Sequence, residues 1–299
     1  MTADSERAIR IRRAGALTTV QDCGRPGYAH LGVPRSGALD APAHHQANRL
    51  VGNPPGAAVL ETTLTGIAVS AECDVAVAVT GAEAAVRVAG QPAPLGTAAL
   101  LQRGQLLEVR SATAGVRNYL AFSGGLNVLH VLGSASADLL SGLGPERLTD
   151  GDVLQLGAPV RADRRDGCAL GDLPAPALSA QPGLAELLVH PGPRMDWLAS
   201  PGLTALREGE WTVSPDSNRV ALRLQGQPLR RRRDELASEG LVSGAIQALP
   251  DGNLVLFLAD HPTTGGYPVI AVVDPACLPA CAQARPGSKI SFRLASGRD

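Results

Sequence analysis

Val75-Ala76-Val77-Ala78-Val79-Thr80 is β-branched and nearly all apolar, which reads as a strand buried in a core. Asn253-Leu254-Val255-Leu256-Phe257-Leu258 and Val269-Ile270-Ala271-Val272-Val273 read the same way. Tyr119-Leu120-Ala121-Phe122 runs into a Ser123-Gly124-Gly125 turn. Around these strands, a glycine turn followed by an alternating strand recurs three times. The copies are Arg103-Gly104-Gln105-Leu106-Leu107-Glu108-Val109, Asp150-Gly151-Asp152-Val153-Leu154-Gln155-Leu156 and Pro286-Gly287-Ser288-Lys289-Ile290-Ser291-Phe292. The third copy predicts a second barrel near the C-terminus.

Helices are few. Asp40 is a suitable N-cap for a helix over 41–51, with Pro42 in its first turn and Gly52 ending it. Ala43, Ala47, Leu50 and Val51 form its apolar stripe. Asp274-Pro275 opens a second helix, with Leu278 and Cys281 as buried positions. Between Val160 and Gln181 the chain turns polar and irregular, so it divides into domains 1–160 and 181–299 joined by a linker over 161–180. With 34 Gly and 23 Pro in 299 residues, the expected class is mainly β with few short helices.

Composition excludes several functions. The net charge is −1, which gives no electrostatic grip on nucleic acid or an anionic membrane. Aromatic residues at 3% leave little for base stacking. The only lysine is Lys289, so no Gly-Lys-Ser/Thr P-loop exists, and neither a Schiff-base lysine nor a biotin-carrying lysine is expected. Cys23, Cys73, Cys168, Cys277 and Cys281 are odd in number and scattered, which reads as small buried residues in a reducing compartment. His44 and His45 are adjacent on the predicted helix and point in different directions, so no metal site is expected. No signal-like h-region and no membrane-length apolar run is present, and the expected location is cytoplasmic.

Four glycine-rich loops carry the candidate chemistry. In Val20-Gln21-Asp22-Cys23-Gly24-Arg25-Pro26-Gly27-Tyr28, two readings stand: Asp22 caps backbone amides and pairs with Arg25, or the loop clamps a substrate. Gly32-Val33-Pro34-Arg35-Ser36-Gly37-Ala38-Leu39-Asp40 leads into the helix; its free N–H groups suit an anion, with Ser36 as a contact, unless Asp40 takes them. Ser238-Glu239-Gly240 through Gly244-Ala245-Ile246-Gln247 offers Glu239 and Gln247. Ala259 to Pro268 holds Thr263-Thr264-Gly265-Gly266-Tyr267, hydroxyls and amides able to hold a carboxylate, carbonyl or phosphate. His261 in that loop reads as a solvated residue.

Read in order, these loops resemble the family of allophanate hydrolase subunit 2, also called KipA, associated with the C component of ATP-dependent 5-oxoprolinase. Further matching stretches are Ala47-Asn48-Arg49-Leu50-Val51-Gly52-Asn53, Leu60-Glu61-Thr62-Thr63, Thr80-Gly81-Ala82 and Gly133-Ser134-Ala135-Ser136-Ala137-Asp138. Near Asn218-Arg219-Val220-Ala221 the family looks like Asp-Arg-Met-Gly, so a carboxylate is missing here while Arg219 and Arg223 stay. The resemblance implies two tandem cyclophilin-like β-barrel domains, without prolyl isomerase activity. It implies a hydrolase subunit that opens 5-oxoproline to glutamate, with ATP as co-substrate of the complex and no biotin on this chain. The implied partners are a subunit-1/KipI-like protein and a lactam-hydrolysing third component. Substrate binding falls to Gln21, Arg25, Ser36, Arg219, Gln247, Thr263, Thr264, Gly265, Gly266 and Tyr267, with Asp22 or Glu239 positioning water. The alternatives implied are a carboxyltransferase subunit of urea carboxylase type, and a regulator that binds a kinase inhibitor.

Overall fold

The structure, a computed structural model, describes residues 7–159, 184–198, 200–232 and 236–295. The expected linker over 161–180 lies outside the described residues. The chain is mainly β, and its described residues fall into two compact units that are not contiguous in sequence. One takes 7–25, 36–138 and 142–159; the other takes 26–35, 139–141 and the described residues from 184 onward.

The first unit is built from two antiparallel sheets. The six-stranded sheet runs in the order Val153–Gln155, Ala8–Arg13, Ile67–Ala71, Leu106–Val109, Val86–Val88, Gln91–Ala93. The five-stranded sheet runs Leu17–Gln21, Val59–Thr63, Ala114–Phe122, Val75–Glu83, Ala98–Leu101. Ile9, Ile11, Val69 and Leu107 from the first sheet share one core with Val20, Leu60, Val77 and Phe122 from the second. Each such side chain contributes about 1.5–3 kcal/mol by leaving water.

The five-stranded sheet is buried on its other face too. There Val59, Tyr119 and Ala121 pack against Ala43 and Ala47 of helix α1 (Ala41–Leu50). Two buried faces explain why residues 75–80 and 119–122 read as apolar runs with no polar alternation, while Thr18, Thr19 and Gln21 of Leu17–Gln21 are buried as polar side chains. Asp40 caps α1 as expected, its carboxylate accepting from Ala43 N at 3.1 Å, and Thr80 Oγ1 donates to Ala43 O at 2.7 Å. The buried face of α1 is Ala43, His44, Ala47 and Asn48, so polar His44 and Asn48 stand where Leu50 and Val51 were expected.

The second unit contains a closed barrel in the order Leu184–Pro191, Val269–Val273, Ala245–Ala248, Leu254–Phe257, Ala221–Gln225, Trp211–Val213, Lys289–Leu294. Lys289–Leu294 pairs antiparallel with Trp211–Val213 and parallel with Leu184–Pro191, which closes the ring. This is the strand of the third turn copy, as the sequence indicated. Gly104, Gly151 and Gly287, the turn glycines of the three copies, all have positive φ and open space around a would-be Cβ. Conformation, not crowding, demands glycine there. Helix α2 (Ser200–Glu208) was not evident from the sequence, and α3 (Leu278–Ala282) follows the Asp274-Pro275 start with Pro279, Cys281 and Ala282 buried.

Candidate functional site

The first unit gathers the first two loops around the stretch Ser134–Asp138. Gln21 ends its strand fully buried, and the chain then turns so that Asp22 faces this stretch. Asp22 Oδ1 accepts from Ser134 Oγ (2.6 Å), Ser136 Oγ (2.5 Å) and Gly24 N (2.8 Å), and Oδ2 accepts from Ala135 N at 2.7 Å. A buried carboxylate is tolerable when its lone pairs are filled in this way. Asp22 is thus a clamp between two loops. Its oxygens are committed, and it holds no ion pair with Arg25.

Arg25 is 1% exposed. Its Nε donates to Val131 O at 3.3 Å and its Nη2 to Ser136 O, while Nη1 is buried without a partner. No carboxylate faces it among the described residues. The expected Asp22–Arg25 pair is therefore replaced by carbonyl contacts among the described residues. Gln21 Nε2 donates to Ala137 O (2.9 Å) and Thr19 Oγ1 (3.0 Å), leaving Oε1 buried and unpartnered. Since Ala137 O only accepts, the nitrogen must face it, which fixes the amide orientation. Ser36, at φ +53°, also donates to Ala137 O at 3.0 Å. Asp22, Gln21, Arg25 and Ser36 thus all converge on 134–137.

Behind them lies a second buried polar network. Glu61 Oε2 accepts from Tyr119 Oη (2.8 Å) and Leu39 N (3.1 Å), and Tyr119 Oη accepts from Asp40 N at 2.8 Å. Arg117 Nε lies 3.6 Å from Glu61 Oε1. Burial, followed by the Glu61 charge, raises the Tyr119 phenol well above its ordinary pKa, so it stays a donor. Burial, followed by His45, lowers His44 to about 4, so its imidazole is neutral at neutral pH. Cys23 is disulfide-bonded, whereas Cys73, Cys277 and Cys281 are free. The expectation that every cysteine is a reduced packing residue is corrected at Cys23.

The second unit gathers the other two loops. Glu239-Gly240 pairs antiparallel with Thr264-Gly265, and Leu241 N donates to Thr263 O at 2.9 Å. Gln247 Nε2 donates to Tyr267 O at 2.8 Å. A Cβ on Gly265 would stand 2.8 Å from Gln247 Nε2 and 2.9 Å from Leu241 Cδ1, whereas one on Gly266 meets nothing nearer than 3.7 Å. Close approach therefore needs glycine at 265; Gly266 and Tyr267 are exposed.

Glu239 forks onto Arg194, whose hydrogen bond is the first cause of its lowered pKa. It is a paired carboxylate rather than a water-positioning base in this state. Arg219 is also 1% exposed, and it forks onto Asp260, Nε to Oδ2 at 2.9 Å and Nη2 to Oδ1 at 3.0 Å. Asn218 Oδ1 accepts from Val220 N at 2.7 Å, a cap that needs no charge. His261 is buried rather than solvated: its Nδ1 lies 2.7 Å from Pro262 O and its ring sits edge-on to Phe257.

A chain of this fold, with buried polar loops from two units, belongs to the carboxyltransferase domain family, subdomain A and B, which matches residues 31–294. Among its relatives, the C component of 5-oxoprolinase from Escherichia coli (strain K12) is 38% identical over 294 residues, spanning 95% of this chain and 90% of that protein. The solved urea carboxylase of Kluyveromyces lactis superposes with TM-score 0.87 at 30% identity, covering 99% of this chain but 28% of that one. The solved TTHA0988 superposes with TM-score 0.83 at 38% identity, and this chain spans only about half of it (55%).

Ser134, Ser136, Glu61, Tyr119, Arg194 and Asp260 were not chosen as site residues from the sequence. The runs Gly133-Ser134-Ala135-Ser136-Ala137-Asp138, Leu60-Glu61-Thr62-Thr63 and Ala259-Asp260-His261 were visible signals, the first with two hydroxyls spaced to face one side of an extended segment.

Proposed function

We propose that this chain is a substrate-binding subunit of an ATP-dependent complex that opens 5-oxoproline to glutamate, acting with a subunit-1/KipI-like partner and a lactam-hydrolysing component. The observation that carries the reading is Arg25, a buried guanidinium that has, among the described residues, no carboxylate opposite it and one nitrogen without an acceptor. Such an orphan costs about 1–3 kcal/mol, which an incoming anion returns. 5-Oxoproline carries a carboxylate and a lactam N–H; urea carries no carboxylate. Arg25 Nη1 supplies the donor for the first, and the orphaned Gln21 Oε1 supplies the acceptor for the second.

In this reaction ATP phosphorylates the lactam carbonyl oxygen, water adds to the activated carbon, and the ring C–N bond breaks to release glutamate and phosphate. This chain binds and orients the substrate. Neither Asp22 nor Glu239 is free to take the proton from water, since the first is held by Ser134 and Ser136 and the second by Arg194. The catalytic base then comes from another component. The likeness to urea carboxylase favours a second reading, in which the same site handles carboxyl transfer to an amide with the biotin carried elsewhere.

The test is ATP hydrolysis by the reconstituted complex. Arg25→Gln is expected to raise the KM for 5-oxoproline about 10–100-fold, the loss of one charge-assisted contact of 1.5–3 kcal/mol. An unchanged KM in a folded variant removes Arg25 from the substrate. ATP turnover that follows urea instead of 5-oxoproline selects the second reading.

A further inference from the structure

Cys23 stands beside Asp22, and its Sγ lies 3.7 Å from His45 Nε2. One ligand atom each from Cys23, His44 and His45 lies within 4.8 Å of the others. The adjacent histidines do not diverge as their spacing indicated; their ring centroids are 5.3 Å apart. In a tetrahedral zinc site with Zn–N near 2.0–2.1 Å and Zn–S near 2.3 Å, neighbouring ligand atoms are about 3.4–3.6 Å apart. The Cys23–His45 distance is already close to that, and the third ligand needs a rotamer-scale shift.

His44 is also prepared as a ligand. Its Nε2 lies 2.9 Å from Ala57 O, a group that only accepts, so Nε2 carries the hydrogen and Nδ1 keeps the lone pair. A ring N–H held by a backbone carbonyl is the usual support of a metal-bound histidine. Asn48, one turn along the same face of α1, donates to the same carbonyl at 2.7 Å and so braces the acceptor.

We propose that Cys23, His44 and His45 form a redox-gated site for a borderline-soft divalent cation of the zinc class, open when the Cys23 disulfide is reduced. A dithiol passes two hydrogens to the two protein sulfurs and leaves as a cyclic disulfide. On metal binding the Cys23 thiol gives its proton to solvent, and both imidazoles donate as neutral ligands. Three protein ligands leave the fourth position to water. The site lies in the loop that carries Asp22 and Arg25, so the bound cation pins that loop to α1. This inference stands apart from the substrate proposed above and is read without it.

The experiment uses the full chain and cobalt(II) alone. Protein reduced with dithiothreitol and desalted without oxygen is titrated with cobalt and followed by absorption. The expected result is one equivalent bound, with thiolate-to-cobalt charge transfer and tetrahedral ligand-field bands, and no such bands in the oxidised protein. Cys23→Ser and His45→Ala each weaken binding at least ~10-fold, the loss that removal of a mere supporting partner can bring. His45 is only half-buried, so its variant keeps the fold, which circular dichroism checks. The proposal is overturned if reduced protein shows no bands, if bands persist unchanged in either variant, or if oxidised protein binds equally. Bands that vanish instead in Cys277→Ser assign the metal to the other unit and also overturn it.

Discussion

Arg25 and Arg219 are equally buried, at 1% exposure, yet among the described residues Arg219 has a carboxylate partner and Arg25 has none. Arg219 holds Asp260 through a two-point fork inside the barrel unit, whereas Arg25 rests on the carbonyls of Val131 and Ser136. A cation with a built-in anion is part of the structure's own balance. Arg25 is supported, among the described residues, only by carbonyls, so no anion described in the structure offsets its charge. Burial alone therefore does not tell these two arginines apart; the partner does.

The strongest way to break this contrast is to remove the anion. Asp260→Ala is expected to destabilise the protein by about 3–5 kcal/mol in urea denaturation, because Arg219 loses its forked partner in a dry site. Arg25→Met is expected to cost only about 1–2 kcal/mol, since it strands carbonyls rather than a charge. Equal losses would erase the distinction between the two arginines.

The next effect is steric. Gly265→Val pushes against Gln247 and Leu241 and is expected to cost about 1–3 kcal/mol by thermal melting. Gly266→Val, in open surroundings, is expected to stay within about 0.5 kcal/mol. If Gly266→Val melts earlier than Gly265→Val, the close approach has been assigned to the wrong glycine.

The smallest effect concerns Glu239, the surface counterpart of Asp260. Its hydrogen bond from Arg194 lowers its folded pKa below the unfolded value. The sign follows: the contribution is complete above the unfolded carboxyl pKa near 4.3 and is lost as pH falls through the lowered folded value. Glu239→Gln should then melt slightly below the parent at neutral pH, with the gap closing in acid. A gap that widens in acid would mean that Glu239 is not held by Arg194.

The fold was largely legible because strands buried on both faces advertise themselves as apolar runs, and because the third turn copy does close the barrel. Helix α2 was hidden by Pro201 and Gly202 within its first turn. The loops of the candidate site were legible as glycine-rich polar clusters, but their bonding was not. Asp22 meets Ser134 and Ser136 across 112 and 114 residues, and Glu239 meets Arg194 across 45. No local pattern encodes such pairings, so the hydroxyl partners of Asp22 and the Arg194 partner of Glu239 stayed out of sight, although the reading of Asp22 as a cap of backbone amides agrees with its bonds from Gly24 N and Ala135 N. His261 read as solvated because its contact to Phe257 depends on how the loop folds back.

The barrel is sealed by two strands that run side by side in the same direction, Leu184 opposite Lys289 through Val189 opposite Leu294. The start of Leu184–Pro191 and the end of Lys289–Leu294 therefore belong to laterally neighbouring strands but lie at opposite rims. A short peptide cannot splice them into a new continuous chain, because it must travel the full strand length, about 17–20 Å for six residues at ~3.3 Å each. Antiparallel closure would have made rewiring the order of the segments easy; here it demands a long connector. On the ribosome the same feature leaves the edge of Leu184–Pro191 waiting, unpaired on that side, until Lys289–Leu294, about a hundred residues later, has emerged.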